Sequence, residues 1–139
     1  MATTDTFRRQ HEGLVQLSME IVQGATPESM AADASDVRRR LARFVGRLKL
    51  HAAMENDALY PRLVDHPNAE VRDKARQLLR DVGGLYDELF AFARKWLSPG
   101  VIEASPAEFG NKLFHVMKIL GKRMSRESRE LYPLVDAAE

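Results

Sequence analysis

His51 and Glu55 stand four residues apart in the stretch Leu50-His51-Ala52-Ala53-Met54-Glu55-Asn56-Asp57-Ala58-Leu59-Tyr60-Pro61. On a helix that spacing stacks the two side chains on one face. An imidazole and a carboxylate are both metal ligands, and the rest of that face is apolar. The end of the stretch recurs as Glu127-Ser128-Arg129-Glu130-Leu131-Tyr132-Pro133, so that Leu59 and Leu131 are related by an offset of 72 residues. At that offset Glu55 falls on Glu127, whereas His51 falls on Arg123. The repeat keeps its carboxylate and replaces its imidazole.

These residues need helices to bring them together, and the chain reads as four. The first is expected from about Asp5 to Gly24, with Phe7, His11, Leu14 and Leu17 along one face. The second opens at Thr26 as N-cap with Pro27 in the first helical position. It is expected to reach Val64, with Leu41, Phe44, Leu48, His51, Glu55 and Leu59 facing inward and Pro61 kinking or ending its last turns. After the corner Asp65-His66-Pro67-Asn68, where His66 is expected to be exposed, a third helix spans about Pro67 to Leu97. Gly83-Gly84 interrupts it, costing roughly 1 kcal/mol per glycine for no visible local reason. Ser98-Pro99-Gly100 closes it, and Ser105-Pro106-Ala107-Glu108 reads as a capping box opening a fourth helix to about Pro133.

Short loops between long helices favour antiparallel neighbours, hence an all-α, up-and-down four-helix bundle. Leu41 matches Leu113, Leu48 matches Leu120 and Leu17 matches Leu89 at the same offset. Two helical hairpins, about residues 5–64 and 67–134, are therefore expected around a pseudo-twofold axis. The 139 residues are expected to form one domain, residues 1–139.

Composition removes several function classes. The chain has no cysteine, which excludes disulfides, thiolate metal sites and cysteine nucleophiles. The formal net charge of +1 supplies no field for nucleic acid or an anionic membrane. The basic run Arg38-Arg39-Arg40, with Arg43, Arg47 and Lys49, lacks interleaved aromatics and reads as a solvated face. Met1 to Gln10 has no apolar core of the kind a signal peptide needs, and no apolar run is long enough to span a bilayer, so a cytoplasmic location is expected. No phosphate-binding glycine loop, serine triad or dinucleotide fingerprint is present, and the reading leans away from an enzyme.

A bundle core is dry, so ionisable groups inside it must be paired, protonated or bound to a cation. His11, His51, Glu55 and Glu127 come from the first, second, second and fourth helices and can converge there. Two imidazoles and two carboxylates suit iron, manganese or zinc.

The segment Phe7-Arg8-Arg9-Gln10-His11-Glu12-Gly13-Leu14, followed by His51 to Pro61 and the repeated Leu-Tyr-Pro, resembles the hemerythrin-like, HHE cation-binding family over nearly the whole chain. That resemblance implies a four-helix bundle with a non-haem di-iron centre, its two irons bridged by two glutamates and held by the histidines of each hairpin. It assigns His11 and His51 to the first iron and Glu55 and Glu127 to the bridge. The second half departs from the pattern, because Arg123 stands opposite His51 and Gly83 opposite His11. Enough ligands remain for one cation.

Arg123, four residues before Glu127, either supplies the charge of the missing second metal or snorkels to the surface; Gly83 leaves room for the first option. Tyr86 lies near that vacated position, as a hydrogen-bond donor, a ligand or core packing. His115, two turns before Arg123, is a candidate distal pocket group or a surface histidine. The expected function is sensing or handling of oxygen, nitric oxide or iron. Reversible dioxygen carriage is not expected, because in the family it draws one electron from each of two irons. The alternative is a metal-free descendant serving as a helical protein-interaction or regulatory module.

Overall fold

The computed structural model describes residues 2–139, and among them there is no β-strand. The helices are α1 (Asp5–Gly24), α2 (Pro27–Ala32), α3 (Ser35–Met54), α4 (Tyr60–Leu63), α5 (Ala69–Val82), α6 (Leu85–Trp96), α7 (Val101–Ala104), α8 (Pro106–Arg126) and α9 (Tyr132–Ala138). Two π-helical segments, Glu55–Leu59 and Glu127–Leu131, join α3 to α4 and α8 to α9 without interrupting the rods. Helix α1 packs on α3 and α8, and α6 packs on the same two, which closes an up-and-down four-helix bundle.

The apolar periodicity does what the sequence requires of it. Phe7, His11 and Leu14 are buried on α1; Leu41, Phe44, Leu48 and His51 are buried on α3; Leu113, Leu120 and Arg123 are buried on α8. The repeat also holds in three dimensions, because both π segments begin at the paired glutamates and end at the paired leucines.

The π segments answer the question posed by Pro61. Proline has no N–H to return to the carbonyl four residues back. The ladder widens instead: the Tyr60 N–H reaches back five residues to the Glu55 carbonyl, and that of Tyr132 to the Glu127 carbonyl. The rod therefore runs past each proline, to Leu63 in the first half and Ala138 in the second.

Other expected boundaries shift. The second rod is not continuous from Pro27, because Asp33 takes an extended conformation (φ −162°, ψ 115°) and its carboxylate accepts from the Ser35 N–H at 2.9 Å. That local bond competes with helix continuation. Helix α2 turns aside and buries Met30 against α7 and α8. The third rod starts at Ala69 rather than Pro67, since Asn68 is its cap, accepting from Glu70 and Val71 N–H groups. It divides into α5 and α6 at Gly83-Gly84. Before α8, Ser105 makes no side-chain cap bond, so the expected capping box is not formed and Pro106 alone marks the start.

The core forms two apolar clusters. One surrounds Leu14, Leu48, Leu89, Trp96, Phe109 and Leu120; the other surrounds Leu59, Leu63, Leu78, Leu131 and Val135. Polar side chains lie between them: His11, His51, Glu55, Arg123 and Glu127 are each 5% exposed or less.

Candidate metal centre

Each polar side chain has a distinct source. His11 sits two turns into α1, His51 in the last turn of α3 and Arg123 in the last turn of α8, while Glu55 and Glu127 open the two π segments. One ligand atom from each of His11, His51, Glu55 and Glu127 can be chosen so that all four lie within 4.8 Å of one another, a grouping able to hold a metal ion.

On one side of the cluster the imidazoles face the carboxylates. His11 Nε2 is 3.1 Å from His51 Nε2, 3.5 Å from Glu55 Oε1 and 3.4 Å from Glu127 Oε1. His51 Nε2 is 2.5 Å from Glu55 Oε1. The outer ring nitrogens are engaged elsewhere. His51 Nδ1 lies 2.6 Å from Gln10 Oε1, and His11 Nδ1 lies 3.0 Å from Ser128 Oγ. The Gln10 amide points its nitrogen at Met54 Sδ, so its oxygen accepts the Nδ1 proton of His51. With a cation in place, the same bond would leave the Nε2 lone pair of His51 to face it, the arrangement a metal-ligating imidazole uses. Glu127 Oε1 is fully buried and has no hydrogen-bonding partner among the described residues. An orphaned carboxylate oxygen beside two inward Nε2 atoms fits a bound cation.

The other side belongs to Arg123. Its Nη2 donates to Glu55 Oε2 at 3.0 Å, and its Nε lies 3.6 Å from Glu127 Oε2. The Tyr86 hydroxyl donates to Glu55 Oε2 at 2.9 Å and the Tyr60 hydroxyl to Glu127 Oε2 at 2.7 Å. The guanidinium lies 3.7 Å over the Tyr86 ring, a close cation–π contact. Its Nη1 donates to the carbonyls of Val82 and Gly83, at 3.4 and 3.3 Å. Each glutamate thus offers Oε1 toward the imidazoles and Oε2 toward a fixed cation.

The charges follow from this arrangement. Burial works to raise the Glu55 carboxyl, but its contacts with His11 and His51 and the nearby Arg123 charge hold it well below the usual carboxylate range. Burial, with the Glu55 charge behind it, pushes Glu127 up. Burial alone would lower His11, but its close contacts with the carboxylates of Glu127 and Glu55 outweigh it and raise the imidazole. Burial and then the carboxylate charges push the three tyrosines far above the ordinary phenol value, so they stay protonated as donors.

The remaining site residues separate. Tyr86 is in the cluster, as a donor to Glu55 and a platform for Arg123. His115 is not: it is exposed and lines a surface groove between α6 and α8 with Glu88, Lys95 and Trp96. Two helical turns carry it about 12 Å along the axis from Arg123, too far to share a pocket. Gly83 contributes a carbonyl rather than simple space. A Cβ there would meet the Leu79 carbonyl oxygen at 2.3 Å. His66 is buried, its Nδ1 accepting from the Asn68 N–H at 3.0 Å.

Gln10, Ser128, Tyr60 and Tyr132 also line the cluster, although spacing and residue type alone give them no role. Tyr132 places its hydroxyl 3.4 Å from both His11 Nε2 and Glu55 Oε1. Tyr60 and Tyr132 carried a signal, since both recur at the 72-residue offset; Gln10 and Ser128 carried only adjacency to His11 and Glu127.

Comparison with known proteins agrees with the geometry. The family described as the hemerythrin HHE cation binding domain matches residues 2–135. Neither a search of curated proteins nor one of solved structures returned a match.

Proposed function

The chain belongs to the hemerythrin HHE cation-binding family, and on that ground we propose that it binds a single cation, iron, through His11, His51, Glu55 and Glu127. The observation that carries the number is Arg123. Its guanidinium stands against the Oε2 atoms of both glutamates, where a second cation would need them. Oε1 of each carboxylate and the two imidazole Nε2 atoms face the other way, with the Tyr132 hydroxyl beside them.

Iron held there would supply binding of a small diatomic ligand or one-electron exchange. The protein's own groups define the rest. Gln10 and Ser128 orient the imidazoles. Tyr60, Tyr86 and Arg123 fix the carboxylates. A surface groove of about 510 Å³ between α1 and α8, lined by His11, Ser128, Glu12 and Gly121, reaches the edge of the cluster. Sensing or handling of oxygen, nitric oxide or iron suits such a centre. Reversible dioxygen carriage, which takes one electron from each of two irons, does not.

A metal-free module is the second reading. It is favoured by how much of the cluster is closed by internal contacts, the Arg123–Glu55 ion pair and the close approach of His51 to Glu55 above all. Metal analysis of protein purified from iron-supplemented cells separates the two. About one equivalent per chain is expected. No bound metal supports the metal-free module, and two equivalents contradict the role given to Arg123.

A further inference from the structure

The position of Arg123 bears on which charge state of a cation the centre accepts. With both imidazoles neutral and both glutamates ionised, as ligands must be, the buried groups carry two carboxylate charges and one guanidinium charge, a sum of −1. A divalent ion brings this to +1 and a trivalent ion to +2. The groups are enclosed by the two apolar clusters, and Arg123 itself is 1% exposed. Uncompensated charge is costly there, and solvent screening is weak. The guanidinium cannot give up its charge, and it cannot swing away without abandoning Glu55, the Val82 and Gly83 carbonyls and the Tyr86 ring. It is therefore a fixed positive charge, coupled to the ligand atoms through Glu55 itself.

The hydrogen bonds act in the same direction. Tyr86 and Tyr60 donate to the Oε2 atoms of the two glutamates at 2.9 and 2.7 Å. A carboxylate that already shares its charge with donors gives less to a cation, and the loss is greater for the more highly charged ion.

We propose that Arg123, supported by Tyr60 and Tyr86, makes the centre discriminate against trivalent cations, so that bound iron is held in the ferrous state. Arg123 is a positioning and charge-setting residue, since it acts through the glutamates. This inference rests on the one-cation reading above.

The test is the midpoint potential of bound iron, loaded as ferrous ion without oxygen into the full chain and titrated with redox mediators. Arg123→Gln removes the charge, Arg123→Lys keeps it, and Tyr86→Phe removes one donor while preserving the ring. Loss of the charge shifts the ferric-to-ferrous balance toward ferric by about tenfold or more, a fall of about 59 mV per tenfold for a one-electron couple. Arg123→Lys stays closer to the parent, and Tyr86→Phe falls by a smaller amount. If Arg123→Gln does not fold, the fall in Tyr86→Phe carries the test. A potential that stays or rises when charge or donor is removed, with iron still bound, overturns the inference and leaves the one-cation reading intact. A parent chain that binds no iron overturns the one-cation reading itself.

Discussion

His11 is the residue whose protonation state decides between a closed cluster and an open centre. In the metal-free protein its pKa lies above 6.5, because contacts with Glu127 and Glu55 outweigh the burial that would lower it. A group raised on folding contributes stability that is fully present below its unfolded value, about 6.5, and is lost as pH rises through the folded value. Chelator-treated protein should accordingly have a higher denaturation midpoint at about pH 6 than at about pH 9. Cation affinity should change in the opposite sense, because His11 must lose that proton to become a ligand. An apo midpoint that rises over this interval would place His11 outside the ion-paired cluster. His51 and Glu55 were legible in the sequence through their four-residue spacing, Glu127 through the 72-residue repeat, and His11 through its place on the inward face of the first helix and the family resemblance. Gln10 and Ser128 were not, because a side chain that orients a ligand has no required spacing of its own; only the folded packing of α1 against α3 and α8 selects it.

The division of the third rod at Gly83-Gly84 shows how an element serves the centre. Read as sequence, the two glycines are an expense within a helix. In the fold they release the Val82 and Gly83 carbonyls, which accept from Arg123 Nη1. The two glycines are not equivalent. A Cβ at Gly83 would meet the Leu79 carbonyl oxygen at 2.3 Å, whereas one at Gly84 meets nothing within 4 Å, and Gly84 has an ordinary φ of −87°. Gly84→Ala should be neutral or stabilising by up to about 1 kcal/mol, while Gly83→Ala should destabilise. Chemical denaturation of the two variants checks this, and equal effects would contradict the packing described. Restoring a histidine at position 83 meets the same obstruction. The π segments were half legible: Pro61 and Pro133 announced a disturbance, but nothing in the sequence said that the ladder would widen rather than break. The break at Asp33 had no glycine or proline to announce it, and arises from one side chain capturing the Ser35 N–H.

Across the whole molecule, two halves with matched apolar positions build a bundle whose polar layer is asymmetric. The fold was legible because a 72-residue repeat of leucines, glutamates and tyrosines constrains both hairpins at once. Where Arg123 would point was not, since a long side chain at an inward position can pack inside or reach the surface. The structure places it 1% exposed, its guanidinium shared between the two carboxylates. The centre that results has two faces, one of imidazoles and carboxylate oxygens, one already filled by a protein cation. The most direct test is a crystal structure of iron-loaded protein with anomalous scattering measured at the iron edge. A single peak per chain is expected, bounded by His11, His51, Glu55 and Glu127, with Arg123 still donating to Glu55 Oε2. Two peaks bridged by the glutamates, or an Arg123 side chain displaced to the surface by a second ion, would contradict it.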